Sequence, residues 1–438
     1  MSKPRFVISC PFDTYSGYGA RSRDIVRAII ELDKYEVQLL PQRWGSTAWN
    51  FCKNHPEWEF LLEYKASKNW NLVQPDIWMQ ITIPNEFQPI GKYNIGCTAG
   101  IESTACKPEW IEGLNRMDMN WGSSKHTKNV FESMVYEKRQ KDNNKVLGNI
   151  KSLKPLHVVF EGANLEKYKL IKNKNSLDLS NVKENFNYLF VGHWMQGKIG
   201  HDRKNVGLLV KAFYETFKNK SKKPGLILKT SIGVDSYTSR DEILKRIKDI
   251  RLSVNSEDLP NIYVINGEFN DEEINELYNH SKVKAMVSLT KGEGFGRPLL
   301  EFSLTGKPII ATNFSGHTDF LNKNFTTLLP GELENVDPGS ANNWLIKESQ
   351  WFKVSDAHLG HSFQDMFLNY KKFKLKAKQQ ASYSKSNFSW DKMKLLVGKI
   401  LEANIPDFPS HVPINLPVLD KNPEPLKLPT LSLPTLNK

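Results

Sequence analysis

The segment from Lys291 to Glu301, with the sequence KGEGFGRPLLE, follows a short apolar run and precedes a second one. Its three glycines let the backbone approach a ligand where a side chain would block it. Pro298 suits the first turn of a helix, and a helix that begins here offers free N–H groups to an anionic or hydroxyl-rich ligand. Glu293 and Glu301 add carboxylates that can accept hydrogen bonds from vicinal hydroxyls. The segment therefore predicts a site for a sugar or a ribose.

The same segment resembles the donor-binding motif of the retaining glycosyltransferases of the GT-B fold, family 4 type (glycosyl transferases group 1). In that family, two glutamates separated by seven residues flank a Gly-Phe-Gly core. The resemblance implies that Glu293 faces the transferred sugar and that Glu301 binds the ribose of the nucleotide. The other residues that it assigns to the donor site are Gly294, Phe295, Gly296 and Arg297. The alternative is a strand-to-helix turn of an unrelated α/β protein, with both glutamates solvated.

A second candidate is the basic pair Arg203 and Lys204, in the loop after a strand predicted at 188–192. A nucleotide sugar carries a diphosphate whose charge grows as the glycosidic bond breaks, so the protein must supply positive groups there. Arginine can bind phosphate through two parallel hydrogen bonds, and lysine acts as a point charge. From Lys204 onward, the run KNVGLLVKAF is similar to the family's pattern. We expect this pair to hold the diphosphate; the alternative is surface charge at a helix N-terminus.

One departure from the family leaves the division of the phosphate contacts open. Many relatives have an arginine directly after the strand glycine, here Gly192, whereas this chain has His193. Lys229, at the end of another predicted strand, is either a further phosphate ligand or a lysine that leaves a sheet edge. No Asp-x-Asp occurs in a context that suggests a metal-held diphosphate. The resemblance implies catalysis without a metal or a cofactor, in which the protein positions the reactants and stabilises charge.

The N-terminal half contains a second set of candidates. Residues 5–10 predict a buried strand, and a loop with Gly17 and Gly19 leads into an amphipathic helix, which is the opening unit of a Rossmann-like domain. These glycines either contact a ligand or serve a tight turn. The polar positions expected on this helix include three arginines, namely Arg21, Arg23 and Arg27.

Two later segments of this half, at Glu102 and at Ser124-Lys125-His126, resemble parts of the family that face the interdomain cleft. His126 is expected to contact the acceptor or the donor, or else to make a structural hydrogen bond. Ser315-Gly316-His317 offers further backbone N–H groups close to the same ligand.

The predicted architecture is α/β with the GT-B fold, in which two Rossmann-like domains face each other across a cleft. Alternating strands and helices build mostly parallel sheets with the ligand at the carboxyl ends of the strands. The expected parts are an acceptor-side domain at 1–172, a nucleotide-sugar-binding domain at 185–388, a crossover helix at 389–402 and a Pro-rich extended tail at 403–438. The lysine-rich stretch 172–184 is the expected linker. The tail either lies in a groove on this protein or a partner, or is disordered.

Composition favours a globular enzyme of two domains, since the 438 residues are 39% hydrophobic and 25% charged. No apolar run approaches the length of a membrane span, and the N-terminus does not resemble a signal peptide, so we expect a cytoplasmic protein. The four cysteines have neither metal nor disulfide spacing. The net charge of +12 points to an anionic partner, such as a nucleotide, nucleic acid or acidic membrane, or to solvated helix faces such as Lys371–Lys378.

These observations predict a hexosyl- or pentosyltransferase that moves a sugar from a nucleotide-diphosphate sugar to an acceptor with retention of configuration. The acceptor is left open among a glycan, a lipid-linked molecule and a nucleic acid, for example a hydroxylated base in viral DNA. A further alternative is a non-catalytic relative that binds sugar nucleotides. The residues specify neither the base nor the sugar of the donor.

Overall fold

The computed structural model describes residues 3–140, 142–171, 177–195, 197–233, 236–342 and 344–408. The expectations for the tail beyond residue 408 and for linker residues 172–176 lie outside these ranges. Residues 177–184, also expected in the linker, pack on the second domain, where Leu179 and Val182 are buried in its core.

The first domain alternates strands and helices as predicted, with one additional hairpin. Its elements are β1 Arg5–Cys10, α1 Gly17–Glu31, β2 Glu36–Pro41, α2 Phe51–Asn54, α3 Pro56–Glu59, β3 Ile77–Ile81, β4 Tyr93–Cys97, α4 Pro108–Arg116, β5 Met119–Gly122, α5 Lys125–Ser133, β6 Val135–Arg139, β7 Val146–Lys151 and β8 Leu156–Val158. The hairpin is formed by β6 and β7, and most of its residues are exposed.

The second domain repeats the alternation and ends in three helices. Its elements are β9 Asn187–Val191, α6 Val206–Phe217, β10 Gly225–Lys229, α7 Tyr237–Ser253, β11 Ile262–Ile265, α8 Asp271–Asn279, β12 Val283–Ser288, α9 Arg297–Ser303, β13 Ile309–Thr312, β14 Thr327–Leu329, β15 Gly331–Asn335, β16 Gln350–Val354, α10 Asp356–Leu368, α11 Tyr370–Asn387 and α12 Trp390–Asn404. Helix α7 begins at Tyr237, where the side chain of Ser236 caps it by accepting a hydrogen bond from Ser239 N.

Both main sheets are parallel throughout their described pairings, which confirms the predicted fold class. The first has the order β2-β1-β3-β4-β5-β8, and the second has the order β11-β10-β9-β12-β13-β14. In the second sheet the chain order reverses between β9 and β12, and ligands of such sheets bind outside the carboxyl ends of the strands at this switch point. The loop with Arg203 and Lys204 follows β9, and the loop with Glu293 follows β12. The topology therefore brings the two predicted donor segments to one place.

Helix α1 differs from the expectation that its arginines are solvated. Arg21 and Arg23 are buried, with 1% and 4% of their surface exposed. The guanidinium of Arg23 lies 3.3 Å from the ring centre of Phe51 and donates to the carbonyls of Phe12 and Thr14, so its burial is compensated. The lysines of α11 agree better with the expectation, since most of those between Lys371 and Lys378 are exposed.

The C-terminal helix α12 packs against the first domain. Ser389 caps it by accepting a hydrogen bond from Lys392 N, as predicted. Met393, Val397 and Leu401 are buried in the core of the first domain. The helix thus connects the second domain to α1. No helix in the described part of the chain is long and apolar enough to cross a membrane.

The glycines of the loop after β12 serve the contact between the two domains. A Cβ at Gly292 would lie 1.6 Å from the carbonyl oxygen of Glu102, and one at Gly294 would lie 2.3 Å from that of Ala99. The hydroxyl of Ser123 is 2.8 Å from the carbonyl oxygen of Gly294. The expected close approach of backbone thus occurs, but in this structure it is an approach to the first domain.

This contact predicts that Gly292→Ala separates the loop from the first domain. The added methyl group meets rigid backbone, and such overpacking typically costs about 1–3 kcal/mol. We expect a lower midpoint of thermal unfolding and a larger radius of gyration in small-angle X-ray scattering. Gly360→Ala, in α10, is the matched control because its Cβ would approach Thr216 Oγ1 only to 3.4 Å. Equal midpoints and radii for Gly292→Ala and wild type would contradict the prediction.

Candidate active site

The centre of the site is the carboxylate of Glu293, which two cations from the loop after β9 hold on both oxygens. Lys204 Nζ lies 2.6 Å from Oε1, and Arg203 Nη1 lies 3.3 Å from Oε2. The same Nη1 donates to the carbonyl of Gly292 at 2.8 Å. Because Lys291 N also donates to the carbonyl of Arg203 at 2.8 Å, backbone and side chains join the two loops.

The charge of Glu293 is strongly favoured in this setting. Burial alone would raise the pKa of its carboxyl, but Lys204 and Arg203 lower that pKa to about 2. The carboxylate also sits on a fixed backbone, since Glu293 N donates to Ser315 Oγ at 2.8 Å and Glu293 O accepts from Gly316 N at 3.0 Å. The group is therefore an ionised hydrogen-bond acceptor in a rigid position.

The first domain adds a second carboxylate to the basic pair. Glu102 Oε1 lies 3.7 Å from Arg203 Nη2, on the other side of the guanidinium from Glu293. Both glutamates raise the pKa of Arg203 against the opposing effect of its burial. The residue that the resemblance placed in the cleft thus meets the predicted phosphate ligand.

Arg297, the first residue of α9, is the centre of a second ion cluster. Its Nε lies 3.0 Å from Glu301 Oε1 within the same helix. Its Nη1 lies 2.6 Å from Asp24 Oδ2 of α1 and 3.8 Å from Glu161 Oε2, which follows β8. Asp24 and Glu161 were not among the predicted site residues. One arginine of the second domain therefore links its own ribose candidate, Glu301, to two acids of the first.

The acidic side chains around Arg297 outnumber this cation, and this surplus adds to the effect of burial in raising the pKa of Glu301. Burial raises the pKa of its carboxyl to about 8; the ion pair with Arg297 opposes this rise, while Asp271 and Asp24 add to it. Burial also raises the pKa of Glu161, although Arg21 and Arg297 oppose it. Burial thus favours the neutral form of the Glu301 carboxyl, in which it can donate as well as accept a hydrogen bond.

The loop after β13 closes the site from another side. Ser315 has a φ of 71°, a conformation that non-glycine residues rarely adopt. The turn places His317 with Nε2 at 2.6 Å from the carbonyl oxygen of Thr312, while its Nδ1 is buried without a partner in the described chain. Burial lowers the pKa of His317, so the ring is neutral near pH 7 and Nδ1 is an acceptor.

Unsatisfied polar atoms gather on the loops around the carboxyl edge of the second sheet. Besides His317 Nδ1, the buried atoms Thr230 Oγ1, after β10, and Asn205 Oδ1, before α6, lack hydrogen-bond partners among the described residues. Such atoms are rare in folded proteins and require an explanation. A small cavity lies between the loops, lined by Lys204, Glu293, Gly296 and neighbouring residues, with room for about one water molecule.

Four more of the predicted donor-site residues lie on or next to these loops. Gly192 and Gly296 are close to the ion pairs of Glu293, whereas His193 and Lys229 contact other groups. Gly192 lies beside Lys204, whose Cε would be 3.9 Å from an added Cβ, and Gly296 begins α9 with a φ of 96°. His193 is exposed and its Nδ1 lies 3.0 Å from Ser231 Oγ. Lys229 points to a different loop, where its Nζ donates to the carbonyl of Gly267 at 2.5 Å. Among the candidates for the phosphate contact, Arg203 is thus the one whose side chain lies against Glu293 together with Lys204.

Of four further predicted residues, three make contacts within the protein that account for their positions, and one is exposed. Phe295 is 3% exposed, and its ring packs on Phe320 in the core of the second domain. Gly19 is required by its own loop, since a Cβ would lie 2.4 Å from the carbonyl oxygen of Thr14. Gly17 is exposed at the start of α1. The Nε2 of His126 contacts the carbonyl of Ser103 at 3.1 Å, and burial lowers its pKa to about 4.

No cluster of His, Cys, Asp or Glu side chains that could hold a metal ion occurs within the described ranges. The four cysteines are buried and free.

The acid surplus predicts how pH affects stability. The pKa of Glu301 is 4.5 ordinarily and about 8 in the folded protein. Between these values, the folded protein keeps a proton that the unfolded chain has released, so rising pH favours unfolding. Because glutamine cannot ionise, the thermal midpoint of Glu301→Gln should exceed that of wild type by a margin that grows over this interval.

Glu293→Gln is the matched comparison with the opposite sign. Since the pKa of Glu293 is lowered to about 2, its charge stabilises the folded protein above pH 4.5, and this stabilisation is lost as pH falls toward 2. We therefore expect Glu293→Gln to lower the midpoint at neutral pH. Parallel pH profiles for both variants and wild type would refute the assignment.

Comparison with known proteins supports the same region of the chain. Residues 201–335 match the family model of the glycosyl transferases group 1. This range contains Arg203, Lys204 and the whole segment from Lys291 to Glu301. No curated protein matches the chain.

Several solved structures share the fold over most of their length at low sequence identity. Sucrose-phosphate synthase from Thermosynechococcus elongatus has a TM-score of 0.60 and 12% identity, covering 92% of this chain and 99% of that one. A glycosyltransferase from Rickettsia africae has 0.57 and 15%, covering 92% and 99%. HepE from Anabaena, in complex with UDP and glucose, has 0.55 and 13%, covering 91% and 100%. The family match and the shared architecture together support a glycosyltransferase of the GT-B fold.

Proposed function

We propose that this protein transfers a sugar from a nucleotide-diphosphate sugar to an acceptor hydroxyl, with retention of anomeric configuration and without a metal ion. The observation that carries the proposal is the pair of ionic contacts that Glu293 makes with Arg203 and Lys204 at the switch point of the second sheet. Two cations and a hydrogen-bonding carboxylate at this position match the two ends of a sugar diphosphate.

The basic pair has to change partners when the donor binds. A diphosphate is a stronger attractor for Arg203 and Lys204 than one carboxylate, because it offers more charge and more acceptor oxygens. Its arrival releases the Glu293 carboxylate to accept hydrogen bonds from hydroxyls of the sugar. The unsatisfied atoms Asn205 Oδ1, Thr230 Oγ1 and His317 Nδ1 are further partners for donor hydroxyl and N–H groups.

Glu301 takes the nucleotide end in this proposal. Glu301 lies one turn into α9, and its carboxyl is buried beside Arg297. It can therefore form hydrogen bonds with a ribose diol at a place from which water is excluded. The protonation of the carboxyl does not prevent this, since a neutral carboxyl both donates to and accepts from hydroxyls.

The chemical step relies on electrostatic stabilisation. As the bond between sugar and phosphate breaks, negative charge builds on the phosphate oxygens opposite Arg203 and Lys204, which stabilise it without rearrangement. The acceptor hydroxyl attacks the anomeric carbon from the face that the phosphate leaves, and the departing phosphate oxygen takes its proton.

UDP-glucose is the first donor to test, because HepE from Anabaena, which shares the fold, was crystallised with UDP-glucose. Release of nucleotide diphosphate from a panel of nucleotide sugars measures turnover, and the anomeric signal of the product in NMR measures retention. We expect chelators to leave the rate unchanged. Binding of a donor without release from any of them would favour the non-catalytic alternative.

Lys204→Met tests the diphosphate contact. Removing a charge that stabilises the transition state should lower kcat by about 10²–10³-fold. Lys211→Met, on an exposed position of α6, is the matched control and should retain the wild-type rate. Equal kcat values for Lys204→Met and wild type would exclude the proposed role of this lysine.

A further inference from the structure

Arg21 of α1 is the most unusual charged residue of the described chain outside the donor site. Its side chain is among the largest that are fully buried, and 1% of its surface is exposed. Apart from the thiol of Cys97, a weak acceptor, its three nitrogens Nε, Nη1 and Nη2 have no hydrogen-bond partner among the described residues. Its neighbour on the helix, Arg23, donates two hydrogen bonds and stacks on Phe51. Burial of an arginine in this helix is thus compensated at one position and not at the other.

An uncompensated guanidinium is costly to keep in a folded protein. Arginine stays charged, and a buried charge that lacks its partner typically costs several kcal/mol. A hydrophobic residue of the same length would fill this position without that cost. A group that lowers stability in the free protein and is nevertheless present is a candidate for a ligand contact.

The surroundings of Arg21 define the kind of ligand. Glu161 lies within electrostatic reach of both Arg21 and Arg297, yet its Oε2 is 3.8 Å from Arg297 Nη1, which is too far for a hydrogen bond. The Cys97 thiol, at the end of β4, is the weak polar neighbour on the other side; burial raises its pKa and Arg21 opposes the rise. An anion-binding group and a hydroxyl-binding group therefore stand together at the carboxyl edge of the first sheet.

This place is connected to the donor site across the domain contact. Glu161 approaches Arg297, and Arg297 binds Glu301, the proposed ribose ligand. Tyr18, three residues before Arg21 on α1, donates to or accepts from Thr98 Oγ1 at 2.9 Å, beside the backbone of Ala99 that packs on Gly294. A molecule bound here would face the donor loop from the acceptor side.

We infer that Arg21 and Glu161 form an acceptor subsite for a small hydroxylated molecule that carries an anionic group, such as a sugar phosphate. Arg21 holds the anionic group through its forked N–H donors, and Glu161 accepts hydrogen bonds from the hydroxyls. This inference rests on the proposed function, since it assigns the acceptor of that reaction. The donor diphosphate has its own cations in Arg203 and Lys204. A nucleic acid backbone fits less well, because a guanidinium with 1% exposure is out of reach of a duplex.

Arg21→Met tests the inference in two independent ways. Inorganic phosphate and glucose 6-phosphate should raise the thermal midpoint of wild type, and their apparent affinity should fall about 30-fold or more in the variant. The variant without ligand should unfold at a higher temperature than wild type, because an unpaired buried charge has been removed. A merely structural arginine predicts the opposite shift in midpoint.

Controls separate this inference from the proposed function. Arg139→Met, on the exposed β6–β7 hairpin, removes the same charge and should bind phosphate like wild type. Glu161→Gln should weaken binding of glucose 6-phosphate but not of inorganic phosphate, and it provides the test if Arg21→Met fails to fold. UDP binding and release of UDP into water without acceptor should be unchanged in Arg139→Met. If wild type neither binds nor turns over donors, the proposed function fails, while phosphate binding still reports on Arg21.

Three results would overturn the inference. They are an unchanged phosphate affinity in Arg21→Met, whatever its thermal midpoint, an unchanged affinity for glucose 6-phosphate in Glu161→Gln, and a preference for glucose over glucose 6-phosphate as acceptor in wild type. A duplex DNA oligonucleotide that competes with inorganic phosphate more strongly than glucose 6-phosphate does, and that loses this effect in Arg21→Met, would indicate a nucleic acid acceptor. That result would also overturn the inference.

Discussion

The ion pairs of Glu293 with Arg203 and Lys204 are the interaction on which the arrangement of the site depends. They join the loops that follow β9 and β12, two strands that are neighbours in the sheet but far apart in the chain. A buried carboxylate of this kind would be unfavourable alone, and the two cations would repel each other without it. The carboxylate therefore holds both cations in place and is held by them, which keeps this part of the structure rigid.

The same charges connect the domains. Arg203 touches Glu102, and Arg297 touches Asp24, so each half of the donor site has one carboxylate partner in the first domain. A diphosphate that takes Arg203 from its carboxylates also weakens the contact with Glu102. If the donor binds as proposed, its binding and the fit of the two domains are coupled through shared ions, with no additional element required. The close backbone contacts of Gly292 and Gly294 make this coupling sensitive to small displacements.

Much of this arrangement could be predicted from local patterns, and the limits of those patterns have a physical origin. The glycine segment, Glu293, Glu301 and the basic pair are contiguous signals, and parallel topology alone brings them together. Asp24 is different, because its partner Arg297 lies 273 residues further along the chain and belongs to the other domain. Nothing local distinguishes such an acid from a solvated one. Phe295 shows a further limit, since its place within the motif gives no sign that its ring is buried in the core.

Arg21 differs from both Asp24 and Phe295. Its position in the helical period indicated burial, but its charge indicated exposure. It is four residues before Ile25 and eight before Ile29, on the helix face that packs into the core. Periodicity alone therefore predicts burial, while residue type predicts exposure, and the structure follows periodicity. When the helical period buries an arginine that gains no ion pair, the packing of the protein does not explain why the residue is an arginine. The proposed acceptor subsite gives the charge of Arg21 a role that the packing of the helix does not supply.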